Sequence, residues 1–98
     1  MIVNYSKSFE KSVNKLSGKL LESVLVVIKE VKNAGSVDEI KDCKKLADFD
    51  NAYRIRIGGL RAFFTVHMYI DGNVVIFEYL TSRGQAYKKG ILRNCLNL

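Results

Sequence analysis

The sequence predicts an α+β domain in which a small antiparallel sheet packs against a helical hairpin, with a further helix at the C-terminus. Three observations predict this. Apolar stripes with helical spacing occupy the first third of the chain, apolar and polar residues alternate between positions 53 and 80, and two tight-turn signals divide that second region. Helices and strands that are segregated along a chain form a two-layer α+β sandwich.

The chain opens with a predicted short strand, Met1 to Tyr5, which leads into a first helix. The segment from Ser6 to Ser8 supplies residues that favour the N-cap position. Apolar residues then recur at spacings of three and four, from Phe9 to Leu16, before Gly18 interrupts the pattern. This spacing predicts an amphipathic helix that ends before the glycine.

A second, longer helix is predicted from about Lys19 to Lys32. Its length favours a helix over a strand despite several β-branched residues, and the Asn33-Ala-Gly35 segment provides a C-terminal stop. Ser36 and Glu39 have the spacing of a capping box, which predicts a short helical turn. The two main helices form the predicted hairpin.

Three strands follow, joined by two tight turns. The alternation predicts strands at Tyr53 to Ile57, at Leu60 to about Tyr69 and at about Asn73 to Leu80. Gly58-Gly59 and Asp71-Gly72 are the turn signals between them, so the three strands form an antiparallel meander. The N-terminal strand completes the sheet, and Gln85 to Leu98 is predicted as a C-terminal helix.

Length and composition predict one domain spanning residues 1–98. The chain has 98 residues, 48% of them hydrophobic and 27% charged, and no proline-rich or glycine-rich linker divides it. No apolar run approaches the ~18 residues of a membrane span. The first residues lack the pattern of a secretory signal. We therefore expect a cytoplasmic protein that does not enter a membrane.

The two cysteines do not predict a metal site. Cys43 and Cys95 have no Cys-x-x-Cys spacing, and the single histidine, His67, lies near neither of them in the sequence. Reduced structural thiols are the expected state in a cytoplasmic protein. We expect neither a metal ion nor another cofactor.

Three arginines are predicted to share one face of the sheet. Successive side chains of a strand point to opposite faces, so Arg54 and Arg56 lie together, opposite Ile55. A tight turn at Gly58-Gly59 would place Arg61 beside Arg56 on the next strand. The net charge of +6 favours a polyanion or an acidic protein as partner. A merely solvated, charged outer face is the alternative explanation.

The order and spacing of these features resemble the RelE/ParE toxin superfamily, the toxin half of type II bacterial toxin–antitoxin pairs. The resemblance covers almost the whole chain. It is carried by Lys45-Leu46, by Tyr53-Arg-Ile-Arg-Ile-Gly with Leu60-Arg61 opening the next strand, by the Asp-Gly hairpin, and by Arg83-x-x-x-Tyr87. The family fold agrees with the elements predicted above.

The resemblance implies a metal-independent endoribonuclease, an mRNA interferase that cuts messenger RNA on the ribosome and arrests translation. The ribose 2′-hydroxyl attacks the adjacent phosphate in that reaction, which requires a base, an acid and stabilisation of growing negative charge. It also implies a cognate antitoxin protein as partner. The alternative within the superfamily is a ParE-like inhibitor of DNA gyrase that cuts no nucleic acid, and a third possibility is a module that only binds.

The resemblance also assigns roles to individual residues. Arg54 and Arg56 correspond to the basic residues that bind RNA, and Arg61 to the residue that clamps the scissile phosphate. Arg83 and Tyr87 complete the predicted catalytic set. Some family members have lysines where this chain has Arg54 and Arg56, and arginine is a poor general base.

The sequence identifies no general base or acid. His67 shares the predicted face of Arg61, but it lies six residues farther along the strand, roughly 20 Å at the usual rise. Phe63 and Tyr69 are apolar positions of the same face that would suit contact with an antitoxin.

Overall fold

A computed structural model of the protein describes residues 1–82. Strand β1 spans Ile2–Tyr5, helix α1 Lys7–Asn14, helix α2 Gly18–Asn33, strand β2 Cys43–Lys45, strand β3 Ala52–Ile57, strand β4 Leu60–Tyr69 and strand β5 Gly72–Ser82, with a short 3₁₀ turn at Val37–Glu39. The predicted α+β class, the helical hairpin and the three-strand meander are confirmed. The predicted C-terminal helix, Gln85 to Leu98, lies outside the described residues.

The five strands form one sheet in the order β1-β5-β4-β3-β2. β2, β3, β4 and β5 pair antiparallel with their neighbours, whereas β1 pairs parallel with β5. The prediction of an entirely antiparallel sheet was therefore wrong for the N-terminal strand. Its register places Val3 opposite Val75 and Tyr5 opposite Phe77. The two β5 residues, Val75 and Phe77, are buried. The apolar match between these side chains favours the parallel pairing.

Strand β2 was missed in the sequence because three residues are too few to show an alternation. It pairs with β3 and forms one edge of the sheet. Its register places Lys44 directly opposite Arg54. This short strand therefore adds a lysine to the region of the sheet that carries the arginines.

The helices cover one face of the sheet, which we call the inner face. Ser6 caps α1 by accepting a hydrogen bond from the backbone N–H of Phe9 at 3.0 Å. The Phe9 ring stacks on Phe77 of β5, with 5.0 Å between the ring centroids. From α2, Val24, Ile28 and Val31 join the same core as the buried residues of β3, β4 and β5, which are Ile55, Ile57, Ala62, Phe64, Val66, Val75, Phe77 and Leu80.

A β-bulge interrupts the pairing of β4 with β5. Phe63 is opposite Tyr79, but its neighbour Phe64 is opposite Phe77, so Glu78 is an extra residue in β5. Phe64 and Phe77 both belong to the inner core. The bulge keeps Phe77 and Leu80 on the inner face although three positions separate them, a spacing that strict alternation would not allow.

Candidate nucleic-acid interface

The hairpin between β3 and β4 brings the predicted arginines to the face of the sheet opposite the helices, which we call the outer face. Arg56 is directly opposite Arg61, and Arg54 is opposite Phe63. The connecting turn has Gly58 at a φ of 57°, in the left-handed region that glycine adopts readily. The predicted hairpin and the predicted Arg56–Arg61 neighbourhood are both confirmed.

The three arginines differ in exposure, which the sequence did not predict. Arg56 is exposed, Arg54 is half-buried, and Arg61 retains only 3% exposure. Arg61 lies on a central strand, and its Nη1 donates to the backbone carbonyls of Leu60 at 3.0 Å and Gly58 at 3.4 Å. Arg61 therefore shares a face with Arg54 and Arg56 but is closed to solvent.

The buried guanidinium of Arg61 has donor capacity left over. Its Nε is buried and has no hydrogen-bond partner among residues 1–82. Buried polar groups are nearly always paired, and leaving one unpaired costs free energy. A bound anion would accept a hydrogen bond from this Nε and would be attracted by the charge of the neighbouring Arg56.

Lys44 extends the basic cluster to the edge of the sheet. Lys44 is paired with Arg54 between β2 and β3, and Arg56 is paired with Arg61 between β3 and β4, so four basic residues form a staggered group across three strands, which we call the basic row. A small pocket of about 280 Å³ lies here, lined by Asp42, Cys43, Lys44, Arg54 and Arg56. The backbone N–H of Arg56 donates to the carbonyl of Asp42 at 3.1 Å, which ties this edge to β3.

A second polar group, formed by Thr65, His67 and Glu78, lies farther along the outer face. The Thr65 hydroxyl is 3.0 Å from His67 Nε2 and donates to Glu78 Oε2 at 3.4 Å. Burial raises the pKa of Glu78 above its ordinary 4.5, while the Thr65 hydrogen bond and the charge of His67 act in the lowering direction. Glu78 could not be recognised in the sequence because the bulge, which alternation cannot reveal, sets its position.

The remaining predicted site residues, Arg83 and Tyr87, lie outside the described residues, as does Cys95. Their assignment therefore stays a prediction. Thr81, near these two residues in the sequence, is buried and lies opposite Arg61.

Cys43, in β2, is a half-buried free thiol whose pKa burial raises to about 11. Among residues 1–82, no group of three or more His, Cys, Asp or Glu side chains could hold a metal ion. No helix in that part of the chain is long and apolar enough to cross a membrane.

Comparison with known proteins gives the family. No family model matches the chain. Toxin RelE3 of Methanocaldococcus jannaschii is 30% identical over 88 residues, which make up 89% of this chain and 96% of that protein. This chain belongs to the RelE toxin family. The resemblance to the RelE/ParE superfamily, drawn above from the arginine-rich hairpin and its surroundings, is confirmed.

Solved structures of RelE proteins have the same fold. The RelE–RelB complex of Pyrococcus horikoshii superposes with a TM-score of 0.68 at 22% identity, covering 86% of this chain and 96% of that chain. The RelB–RelE antitoxin–toxin complex of Methanococcus jannaschii superposes with a TM-score of 0.65 at 25% identity, covering 86% of this chain and 94% of that chain. The two helices and five-stranded sheet are thus those of a RelE toxin.

Proposed function

We propose that this RelE family protein is a toxin that cuts messenger RNA on the ribosome and so arrests translation. In the proposed reaction, the ribose 2′-hydroxyl attacks the adjacent phosphate and leaves a cyclic phosphate and a free 5′-hydroxyl. The observation that carries the proposal is the row of four basic residues across three adjacent strands, namely Lys44, Arg54, Arg56 and Arg61. Cations fixed on a rigid sheet stabilise the negative charge that grows in this reaction.

Within the row, exposure suggests a division of roles. Arg56 is exposed and lies directly opposite the buried Arg61, so a phosphate arriving from solvent meets Arg56 first. The buried Nε of Arg61, on the neighbouring strand, has no partner among residues 1–82 and is a donor for the same phosphate. Arg54 and Lys44 continue the row, where they would bind the flanking phosphates of the strand. Arg83 and Tyr87 remain in the proposed site on the strength of the family resemblance.

The alternative, inhibition of DNA gyrase, is less favoured because the curated relative is a RelE toxin and not a ParE toxin. The two functions make different predictions for transcripts. A ribosome-dependent nuclease leaves new 5′ ends in phase with codons, whereas a gyrase inhibitor arrests growth and leaves transcripts intact. We place the nuclease in the cytoplasm, where ribosomes and transcripts are found.

Induced expression in a bacterial host, with mapping of transcript 5′ ends, tests the function. We expect growth arrest and codon-phased cuts from the wild type. We expect both to be lost in Arg56→Ala and in Arg61→Ala, the latter by 10²- to 10³-fold in rate, as for the loss of one oriented donor at a developing oxyanion. Lys11→Ala, an exposed cation on α1, is the matched control and should cut normally. Arrest without cuts would overturn the nuclease and favour gyrase inhibition.

We further propose a cognate antitoxin that covers the basic row with an acidic segment. Charge complementarity supports this partner, and two of the structural neighbours are complexes of RelE with RelB. Phe63, predicted as an antitoxin contact, is only 1% exposed and is therefore corrected to a buried position. Tyr69 at the tip of β4 is 63% exposed and remains available. Co-expression of the antitoxin should restore growth, and raising the salt concentration should weaken the complex.

A further inference from the structure

The β-bulge in β5 builds a second polar site on the outer face, outside the basic row. Two hydrogen bonds from Ser6 hold the backbone of β5 at this point. The Ser6 hydroxyl donates to the carbonyl of Glu78 at 2.6 Å, and its N–H donates to the carbonyl of Phe77 at 2.9 Å. The position of Glu78 is thus fixed by the fold and not by its own side chain.

The hydrogen bonds between the three side chains run in one direction. The Thr65 hydroxyl donates its proton to the Glu78 carboxylate, so its oxygen accepts from His67 when the imidazole carries a proton on Nε2. His67 and Glu78 are therefore joined through one hydroxyl. Among the side chains of residues 1–82, this arrangement engages one carboxylate oxygen of Glu78, Oε2.

The site lies on the same face as the basic row and close to it. Phe63 of β4 is flanked by Arg54 of β3 and by Tyr79 of β5, the residue that follows Glu78. Arg61, which we place at the scissile phosphate, is opposite Thr81 of β5, three residues beyond Glu78, or about 10 Å along the strand. An arginine side chain and one nucleotide together bridge that distance.

The proposed reaction needs a proton acceptor, which the arginines cannot supply because they stay protonated. We infer that the Glu78 carboxylate accepts the proton of the attacking 2′-hydroxyl, with Thr65 and His67 as positioning residues that hold it in place. This inference rests on the proposed nuclease function. It adds a residue that neither the resemblance nor the relatives assign.

The step is balanced without any co-reactant. The 2′-hydroxyl gives its proton to Glu78 as the bond between O2′ and phosphorus forms. The bond between phosphorus and O5′ then breaks, and O5′ takes up a proton from water while Glu78 returns its own to solvent. The products are a 2′,3′-cyclic phosphate and a 5′-hydroxyl. Burial raises the pKa of Glu78, which makes it a stronger proton acceptor than a solvated carboxylate.

Cleavage of a defined messenger RNA on purified ribosomes tests the inference, with Glu78→Gln as the main variant. The amide keeps the size of the side chain but accepts no proton. We expect the cleavage rate to fall by 10²- to 10⁴-fold, the usual contribution of a general base, while binding to the ribosome is unchanged. Glu22→Gln, an exposed acid on α2, is the matched control and should cleave like the wild type.

The pH dependence separates a base from a merely structural carboxylate. Among residues 1–82, the polar side chains bonded to Glu78 are Thr65 directly and His67 through Thr65, and Tyr79 is its neighbour in β5. The cleavage rate of the wild type should fall as the pH drops through the pKa of Glu78, which gives the pH–rate profile an acidic limb. The residual rate of Glu78→Gln should show no such fall. In His67→Gln the acidic limb should remain but shift to higher pH, because the positive charge that lowers the pKa of Glu78 is removed.

The outcomes distinguish this inference from the proposed function. If the wild type does not cut on ribosomes, the nuclease proposal fails. If the wild type cuts and a folded Glu78→Gln cuts within threefold of it, Glu78 is not the base. Thr65→Val should reduce the maximal rate with no change in ribosome binding, and a loss of binding instead would show that the cluster only shapes the surface.

Discussion

Arg56 and Arg61 lie directly opposite each other across the β3–β4 hairpin, yet one is exposed and the other is only 3% exposed. Like charges at opposing positions of a sheet destabilise it, and a buried charge with an unpaired donor adds to that cost. The pair therefore stores unfavourable free energy at the proposed phosphate site. Such a feature is expected where function, not stability, selects the residues.

Arg61→Met should separate the effect of Arg61 on stability from its effect on toxicity. Methionine fills a similar volume without charge, so we expect the free energy of unfolding to be unchanged or to rise by up to about 2 kcal/mol, while toxicity is lost. Urea denaturation measures the first effect and growth arrest the second. Arg56→Met at the exposed partner should change stability by less than about 0.5 kcal/mol. A loss of more than about 2 kcal/mol in Arg61→Met would show that the hydrogen bonds to Gly58 and Leu60 hold the hairpin together.

The two glycines of the β3–β4 turn should respond differently to alanine. A Cβ at either position meets no atom within 4 Å, but only Gly58 has a positive φ, of 57°. Gly58→Ala should therefore cost about 1–2 kcal/mol, and Gly59→Ala should be close to neutral. Thermal unfolding should show the difference as a lower Tm of several degrees for Gly58→Ala alone. Equal effects would mean that the backbone conformation is not what limits this turn.

Cys43 should be slow to react and should make stability depend on alkaline pH. Burial raises the pKa of its thiol from 9.0 to about 11, so the folded state retains the proton more strongly than the unfolded state does. Its contribution to stability is complete below pH 9 and is lost as the pH rises through about 11. At pH 8 the folded protein should be alkylated about 100-fold more slowly than the unfolded chain, since each pKa unit changes the thiolate fraction tenfold.

This measurement uses a Cys95→Ser background, so that Cys43 is the only thiol. Mass spectrometry after timed exposure to iodoacetamide gives the rate in buffer and in urea. Equal rates in the two conditions would show that Cys43 is solvated in the folded protein.

Glu39 should stabilise the turn that follows α2. Its Oε2 accepts two backbone hydrogen bonds, from the N–H of Gly35 at 2.7 Å and from that of Ser36 at 2.9 Å. Glu39→Ala should lower the free energy of unfolding by about 1 kcal/mol, as the loss of a helix cap does. Asp38→Ala, one residue earlier and also exposed, is the matched control and should have little effect. Equal losses in chemical denaturation would assign the effect to general charge and not to the cap.

Local patterns in the sequence were sufficient for most of the fold. The helical spacing after Ser6, the long stripe before Gly35 and the alternation from Tyr53 each report contacts between residues close in the chain. The glycines at 58 and 59 and the Asp71-Gly72 pair fixed the meander in the same way. These signals also placed Arg56 beside Arg61, because a two-residue turn determines the register of its strands.

The sequence by itself determined the first strand, the helical hairpin, the meander and the shared face of the arginines, since each follows from the period of a strand or helix and from the chemistry of a turn. Only the tertiary structure decided that β1 runs parallel to β5, that Lys44 lies opposite Arg54, that Arg61 is buried, and that the bulge places Glu78 beside Thr65. These features depend on pairing and packing between residues distant in the chain. They are set by which strands become neighbours and by how side chains pack between them, and a pattern of residues close in the chain does not contain this information.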